Sequence, residues 1–277
     1  MISDNHISNK ITVITVCYNA VNLIEDTIKS VLAQTYSNIE YIIIDGGSTD
    51  GTRDIIEKYS TRLAKYISEP DSGIYDAMNK GVKYASGDYI NFMNAGDVFF
   101  DKDAITRIFG GGPYDETLVY GDTLEKSDKG YAFRKASRIA PMPACHQSMF
   151  VATEEMRRHP FDTTFKVFAD RDFLRKLYDR GCTERYIPSI VSIFDVSGIS
   201  NSAVYKYWFY LEIRRAHGIS SVSRMKYVKY VISKYLNIHV FARIPWIVGL
   251  WNKEYSRSLA EKKANQPRPL ADFNPAV

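Results

Sequence analysis

The chain has 277 residues, 45% of them hydrophobic and 25% charged, with a formal net charge of +4. That is an ordinary soluble globular composition, long enough for one large α/β domain or two smaller ones. Cys17, Cys145 and Cys182 are scattered with no CxxC spacing, which argues against a disulfide framework or a zinc site and fits a reducing cytoplasm.

"MISDNHISNK" has no apolar core and no run reaches ~18 apolar residues, so neither a secretory signal nor a transmembrane helix is expected. The charge is uneven. Residues 201–277 carry 13 Lys and Arg against four Asp and Glu, whereas residues 1–200 are net acidic. A basic C-terminal quarter suits either a solvated helical tail or a surface that meets a polyanion such as anionic lipid.

In chain order, "ITVITVCYN" (11–19) reads as a short buried strand, and "VNLIEDTIKSVLAQT" has apolar residues at helical spacing. "IEYIIID" (39–45) is a continuous apolar run, as in a parallel strand buried on both faces. "TRDIIEKYS" predicts a short helix, "AKYISEP" a third strand and "GIYDAMNKGVKYA" a helix broken near Gly81. "DYINFMNAGD" (88–97) predicts a fourth strand running to Asp97. This alternation indicates a doubly wound sheet. Beyond residue 100, "TLVYGDTLE", "YAFRKASR" and "HQSMFVA" predict strands, and "VFADRDFLRKLYDRG" a helix stopped at Gly181.

Ligands of open parallel sheets sit at the carboxyl ends of strands. Three polar clusters fall there: "VCYN", "DGGSTDGT" and "NAGD". Asp45 could accept hydrogen bonds from a base or ribose, with Gly46 allowing close backbone approach; an Asx-turn leading into a helix explains the same residues. The first strand–helix turn, "CYNAVNLI", has no glycine, which disfavours a dinucleotide fingerprint. Asp97, with Asn94 three residues earlier, could hold Mg²⁺ or Mn²⁺ largely through substrate phosphates, although the same residues make an adequate turn. Asp170 and Asp172, two apart on a helix start, point to different faces, so one acts as a base while the other caps or pairs with arginine, or both simply favour the helix dipole. His146 before an apolar strand suits a structural hydrogen bonder or a site residue.

The ordered set "ITVITVCYNA", "SVLAQTYSNIEYIIIDGGSTDGT", "SEPDSGIYDAMNKGVKYASGDYINFMNAGD", "CHQSMFV" and "ADRDFLRKLY" closely resembles the family 2 glycosyltransferases, in particular bacterial enzymes of exopolysaccharide, capsule and O-antigen assembly of the colanic-acid type. The resemblance implies a GT-A fold, a mixed α/β sheet flanked by helices, over 1–200; the helical pattern from ~204 to ~260 makes residues 201–277 a separate helical appendage. The resemblance also implies inverting transfer from a nucleotide-diphospho-sugar, a UDP-sugar, to a hydroxyl of a glycan or polyprenyl-diphosphate-linked acceptor, with Mn²⁺ or Mg²⁺ as cofactor. By position, Asp170 corresponds to the catalytic base and Asp97 to the metal-associated acid. Tyr18, Asn19, Asp45, Gly46, Asp71, Asn79, Asn94, His146 and Gln147 fall on the nucleotide-sugar site. Two departures stand out: Gly96 where many relatives have a second acid, and Ala169 where many have Glu.

Outside the resemblance, "SRMKYVKYVISKYLNIHVFARIPWIVGLW" places Val228, Val231, Tyr235 and Ile238 on one helical face, largely opposite Lys226, Lys229 and Lys234. Such a helix docks on an anionic membrane surface, here the inner face of the cytoplasmic membrane, or packs on protein. No nucleic-acid partner is expected. The alternatives to a glycosyltransferase are a sugar-phosphate nucleotidyltransferase, for which the Gly-rich N-terminal loop is missing, and a non-catalytic carbohydrate- or lipid-binding module on the same fold.

Overall fold

The apolar runs become the centre of a nine-stranded sheet. In the computed structural model, which describes residues 8–127, 130–136, 144–195, 208–209, 211–212 and 215–216, β1 (Ile11–Cys17) is buried along its whole length and β2 (Ile39–Asp45) over its last five residues. Between them α1 (Ile24–Leu32) buries Ile24, Thr27, Ile28 and Val31, one stripe at helical spacing. Then come α2 (Thr52–Glu57), β3 (Lys65–Ser68), α3 (Ile74–Tyr84) and β4 (Tyr89–Phe92).

The second half adds β5 (Val98–Phe99), α4 (Ala104–Phe109), β6 (Leu118–Ser127) and β7 (Gly130–Arg134). A 3₁₀ turn at His146–Ser148 leads into β8 (Met149–Ala152), followed by α5 (Thr153–Arg158), α6 (Ala169–Asp179) and β9 (Glu184–Asp195). The strand order is β3-β2-β1-β4-β8-β6-β9-β5, with β7 paired to β6. β3, β2, β1 and β4 are mutually parallel, while β8 runs antiparallel to both β4 and β6. This is the mixed sheet flanked by helices expected for a GT-A fold. Ile11, Ile24, Ile28, Ile43, Phe109, Phe150 and Val191 belong to the core that packs against it.

The structure differs from the sequence reading in four places. Helix α3 runs through Gly81 without a break; glycine is there because a Cβ would lie 2.6 Å from Cγ2 of Ile14 on β1. Strand β4 ends at Phe92, and 93–97 form a turn stitched to β1 by Met93 N–H to Ile14 O and Ala95 N–H to Val16 O. His146 and Gln147 sit in the turn before β8 rather than on the strand. Strand β9 was not anticipated, because Pro188 interrupts its pattern and proline demotes a run as a strand.

The chain divides into two compact units, Met1–Phe209 with Pro269–Val277, and Tyr210–Arg268. Every element named above belongs to the first. The expected basic amphipathic stretch around Val228–Ile238 lies outside the described residues. Among the described residues, no helix is long and apolar enough to cross a membrane.

Candidate active site

Four adjacent parallel strands end on one edge of the sheet, and each delivers polar residues there. Tyr18 and Asn19 follow β1, Gly46 follows β2, Asp71 follows β3, and Asn94 to Asp97 follow β4. The chain order reverses between β1 and β4, which is where open α/β sheets open a ligand crevice. β8 runs the other way, so its amino end brings His146 and Gln147 to the same edge.

Asp45 does not offer its carboxylate to that crevice. It is 0% exposed, and its acceptor positions are filled from within the chain. Oδ2 accepts from the Ser48 backbone N–H at 3.0 Å and the Ser68 hydroxyl at 2.6 Å; Oδ1 accepts from the Ser48 hydroxyl and, at 3.6 Å, the Cys17 thiol. Asp45 therefore fastens the ends of β2 and β3 and shapes the loop, where a direct base or ribose contact was expected. Beside it, burial and the Asp45 charge push the Cys17 thiol far up, so it stays neutral.

Asn19, in the left-handed region at φ 47°, joins the first two loops. Its backbone N–H donates to Ser48 Oγ at 2.8 Å and its side chain accepts from Thr49 N–H at 3.0 Å. The open surface lies next to this brace. A Cβ on Gly46 would meet Asp71 Oδ2 at 2.6 Å and the Tyr18 ring at 3.3 Å, so the absent side chain lets both groups close over the backbone. Tyr18 is 65% exposed, a large aromatic face left open at a strand end. An exposed ring beside a carboxylate suits a stacked, hydrogen-bonding base.

The other half of the edge is a polar chain, buried at Asp97 and Gln147 and half-buried at Asn94, His146 and Asp170. Gln147 Nε2 donates to Asp97 Oδ2 at 2.6 Å. The Asn94 amide pairs with His146 Nε2 at 3.0 Å, which leaves Nδ1 of the imidazole facing Asp170 Oδ2 at 3.8 Å. The turn is held from below, where Asn91 Nδ2 donates to Gln147 O and Met149 O, both at 2.9 Å. Asp97 and Asp170 are thus bridged by the two residues of one turn.

Burial pushes the Asp97 carboxyl up to about 7, against the lowering effect of the Gln147 bond. Desolvation likewise holds His146 below its ordinary range, although Asp170 pulls the other way. Two amide oxygens in this chain, Asn94 Oδ1 and Gln147 Oε1, are buried without a partner. One carboxylate and two idle amide oxygens fit a hard divalent cation whose remaining positions are taken by phosphate oxygens. Among the described residues, no group of three or more His, Cys, Asp and Glu gathers. Gly96 has φ +100°, where a second acid in its place would be strained.

Two candidates turn inward. Asn79 spends both ends of its amide on the backbone of Phe161, at 2.9 Å each, so it is a strut where a nucleotide contact was expected. Asp172 is buried against Arg175 at 3.0 Å and Lys176 at 2.6 Å, which leaves Asp170 as the carboxylate of that helix start directed at the turn. Sequence reasoning missed Tyr75, whose hydroxyl donates to Asp170 Oδ1 at 3.1 Å. Its only sequence signal was its place in "GIYDAMN", one residue before the acid of that segment.

Comparison with known proteins bears on this arrangement. A PGL/p-HBAD biosynthesis glycosyltransferase of Mycobacterium bovis is 31% identical over 199 residues, covering 68% of this chain and 78% of the relative. Among solved structures, S. aureus TarS 1-349 in complex with UDP-GlcNAc superposes with a TM-score of 0.55 at 19% identity, over 67% of this chain and 58% of that one. A mannosyltransferase from Pyrobaculum calidifontis in complex with GDP-Man and Mn²⁺ gives 0.54 at 18% identity, over 67% and 56%. This chain therefore spans less than two thirds of the solved structures it matches, and at that identity they speak to the fold. The model of glycosyl transferase family 2 matches residues 12–182, more than half of the sequence and every strand-end loop described above, and the chain belongs to that family.

Proposed function

We propose that the protein is an inverting glycosyltransferase. It moves a sugar from a nucleoside-diphosphate sugar, a UDP-sugar, to a hydroxyl of a glycan or lipid-linked glycan in bacterial surface polysaccharide assembly. The observation that carries this reading is the chain from buried Asp97 and Gln147 to half-buried His146 and Asp170, which sets two carboxylates at opposite ends of one turn. UDP-GlcNAc bound to TarS and GDP-Man bound to the Pyrobaculum enzyme support a nucleotide-sugar donor, and the mycobacterial relative supports a surface-glycan role.

In this reading the base lies on the Tyr18 ring beside Asp71, and the diphosphate lies over the β1–β4 crevice toward Asp97. Asp97, Asn94 and Gln147 would hold a divalent cation, which supplies neutralisation of charge on the leaving diphosphate. Asp170, at the amino end of α6, takes the proton of the acceptor hydroxyl. The new C–O bond forms on the face opposite the breaking bond to phosphate oxygen, so one displacement inverts the anomeric carbon. A positioned base contributes roughly 10²–10⁴-fold.

Asp170→Asn tests the assignment. It should abolish transfer while leaving nucleotide affinity, by calorimetry with UDP, within about twofold. A variant with full transferase activity would remove Asp170 from the role.

A further inference from the structure

The acidic residue at the start of α6 needs a defined side-chain orientation to work as a base, because only a free oxygen facing the acceptor can take its proton. Oδ1 of Asp170 is occupied. It accepts from the Tyr75 hydroxyl at 3.1 Å and from the backbone N–H of Arg171 at 2.9 Å. Among the described residues, Oδ2 has only the more distant His146 Nδ1 at 3.8 Å.

Tyr75 is itself held by a compact device. It and Asn79 are four residues apart on α3 and share one face of the helix. Asn79 grips the backbone of Phe161 through two hydrogen bonds, and the Phe161 ring packs against Tyr75 with centroids 5.4 Å apart. Phe161 also packs on Phe173 at 5.4 Å, one turn along α6 from Asp170, and on Phe92 of β4 at 5.6 Å. The ring of Tyr75 is buried, which fixes where its hydroxyl oxygen lies. Helices α3 and α6 are thus locked through one phenylalanine, and the lock sets the distance between the Tyr75 hydroxyl and the carboxylate.

We propose that Tyr75 is a positioning residue for the transfer reaction: its hydroxyl ties down Oδ1 of Asp170 so that Oδ2 receives the acceptor proton, and the Asn79–Phe161 clamp holds Tyr75 in place. This rests on Asp170 being the base. It gives "YDAMN" a role in catalysis through α6, with no contact to the nucleotide.

The test is steady-state release of nucleoside diphosphate from UDP-N-acetylglucosamine, UDP-glucose and GDP-mannose by the full chain, for wild type, Tyr75→Phe, Asn79→Ala and Asp170→Asn. Tyr75→Phe keeps the ring and its packing, so its melting temperature should stay near wild type. Its kcat should fall about tenfold to a hundredfold, the range for losing one hydrogen bond to a charged group, with donor KM unchanged. Asn79→Ala should lower kcat in the same direction without raising donor KM. A Tyr75→Phe enzyme with wild-type kcat, or one whose loss lies wholly in KM, overturns the proposal. If Asp170→Asn turns over as wild type does, it is the base assignment that falls; if Asp170→Asn is dead while Tyr75→Phe is unimpaired, the positioning role alone falls.

Discussion

Asp97→Asn should make the metal-free protein more stable at pH 8 while removing its transferase activity. Asp97 is 8% exposed, and burial raises its carboxyl from the ordinary 3.8 to about 7. The folded state therefore holds this proton over a pH range in which the unfolded chain has released it. Stability from this group is fully present below the unfolded value and is lost as pH climbs from about 4 to about 7. At ~1.36 kcal/mol per pH unit, the gap amounts to a ceiling of about 4 kcal/mol.

Asparagine keeps an oxygen for Gln147 Nε2 and carries no charge at any pH. Urea unfolding of wild type and variant at pH 5 and pH 8, in EDTA, isolates the effect, because every other titrating group is common to both. The variant should lead by only about 1.6 kcal/mol at pH 5, where the unfolded carboxyl is already about one unit past its own pKa, and by up to about 4 kcal/mol at pH 8. Adding Mn²⁺ with UDP should raise the wild-type midpoint at pH 8 and leave the variant's nearly unmoved, since the added charge offsets the buried carboxylate only where one exists. A variant no more stable than wild type at pH 8, or a difference that does not grow with pH, would refute the reasoning.

Other perturbations separate the nucleoside end of the crevice from the core. Tyr18→Ala removes an exposed ring, so unfolding should be unchanged, while UDP affinity measured by calorimetry should drop by roughly 5- to 150-fold, the range for one base–aromatic stack. Gly46→Ala places a methyl 2.6 Å from Asp71 Oδ2 and should weaken UDP binding at least about tenfold with a small effect on the melting temperature. Gly81→Ala, by contrast, drives a methyl into Ile14 across the α3–β1 contact; it should lower stability by about 1–3 kcal/mol in urea while UDP affinity holds.

The parts legible in the sequence were those whose signal is local. Continuous apolar runs gave β1 and β2, a 3.6-residue stripe gave α1, and polar clusters at strand ends located the crevice. What was missed depends on partners distant in the chain. Asp45 looked like a free acceptor because Ser68, 23 residues on, fills one of its positions only once β3 pairs with β2. Asn79 looked like a ligand contact because its partner, Phe161, is 82 residues away. The His-Gln pair was placed at the start of a strand, yet it is the turn that lets both side chains reach one edge, His146 toward Asn94 and Asp170, Gln147 toward Asp97. Strand β9 was hidden by Pro188, whose effect on the pattern is local although β6 still pairs on both sides of it. Asp97 and Asp170 were singled out by their place in a resembling motif, whereas Tyr75, whose hydroxyl bonds Asp170, had no polarity pattern to mark it.

The central claim is that the strand-end crevice binds an activated sugar with Asp97 at the diphosphate and Asp170 across from it. A crystal structure with UDP and Mn²⁺ tests this most directly. The account predicts the uracil on the Tyr18 ring, the diphosphate and metal at Asp97, and the Asp170 carboxylate facing the site next to the terminal phosphate. A nucleotide bound away from β1 and β4, or one whose diphosphate lies apart from Asp97 with Asp170 turned from it, would contradict the account.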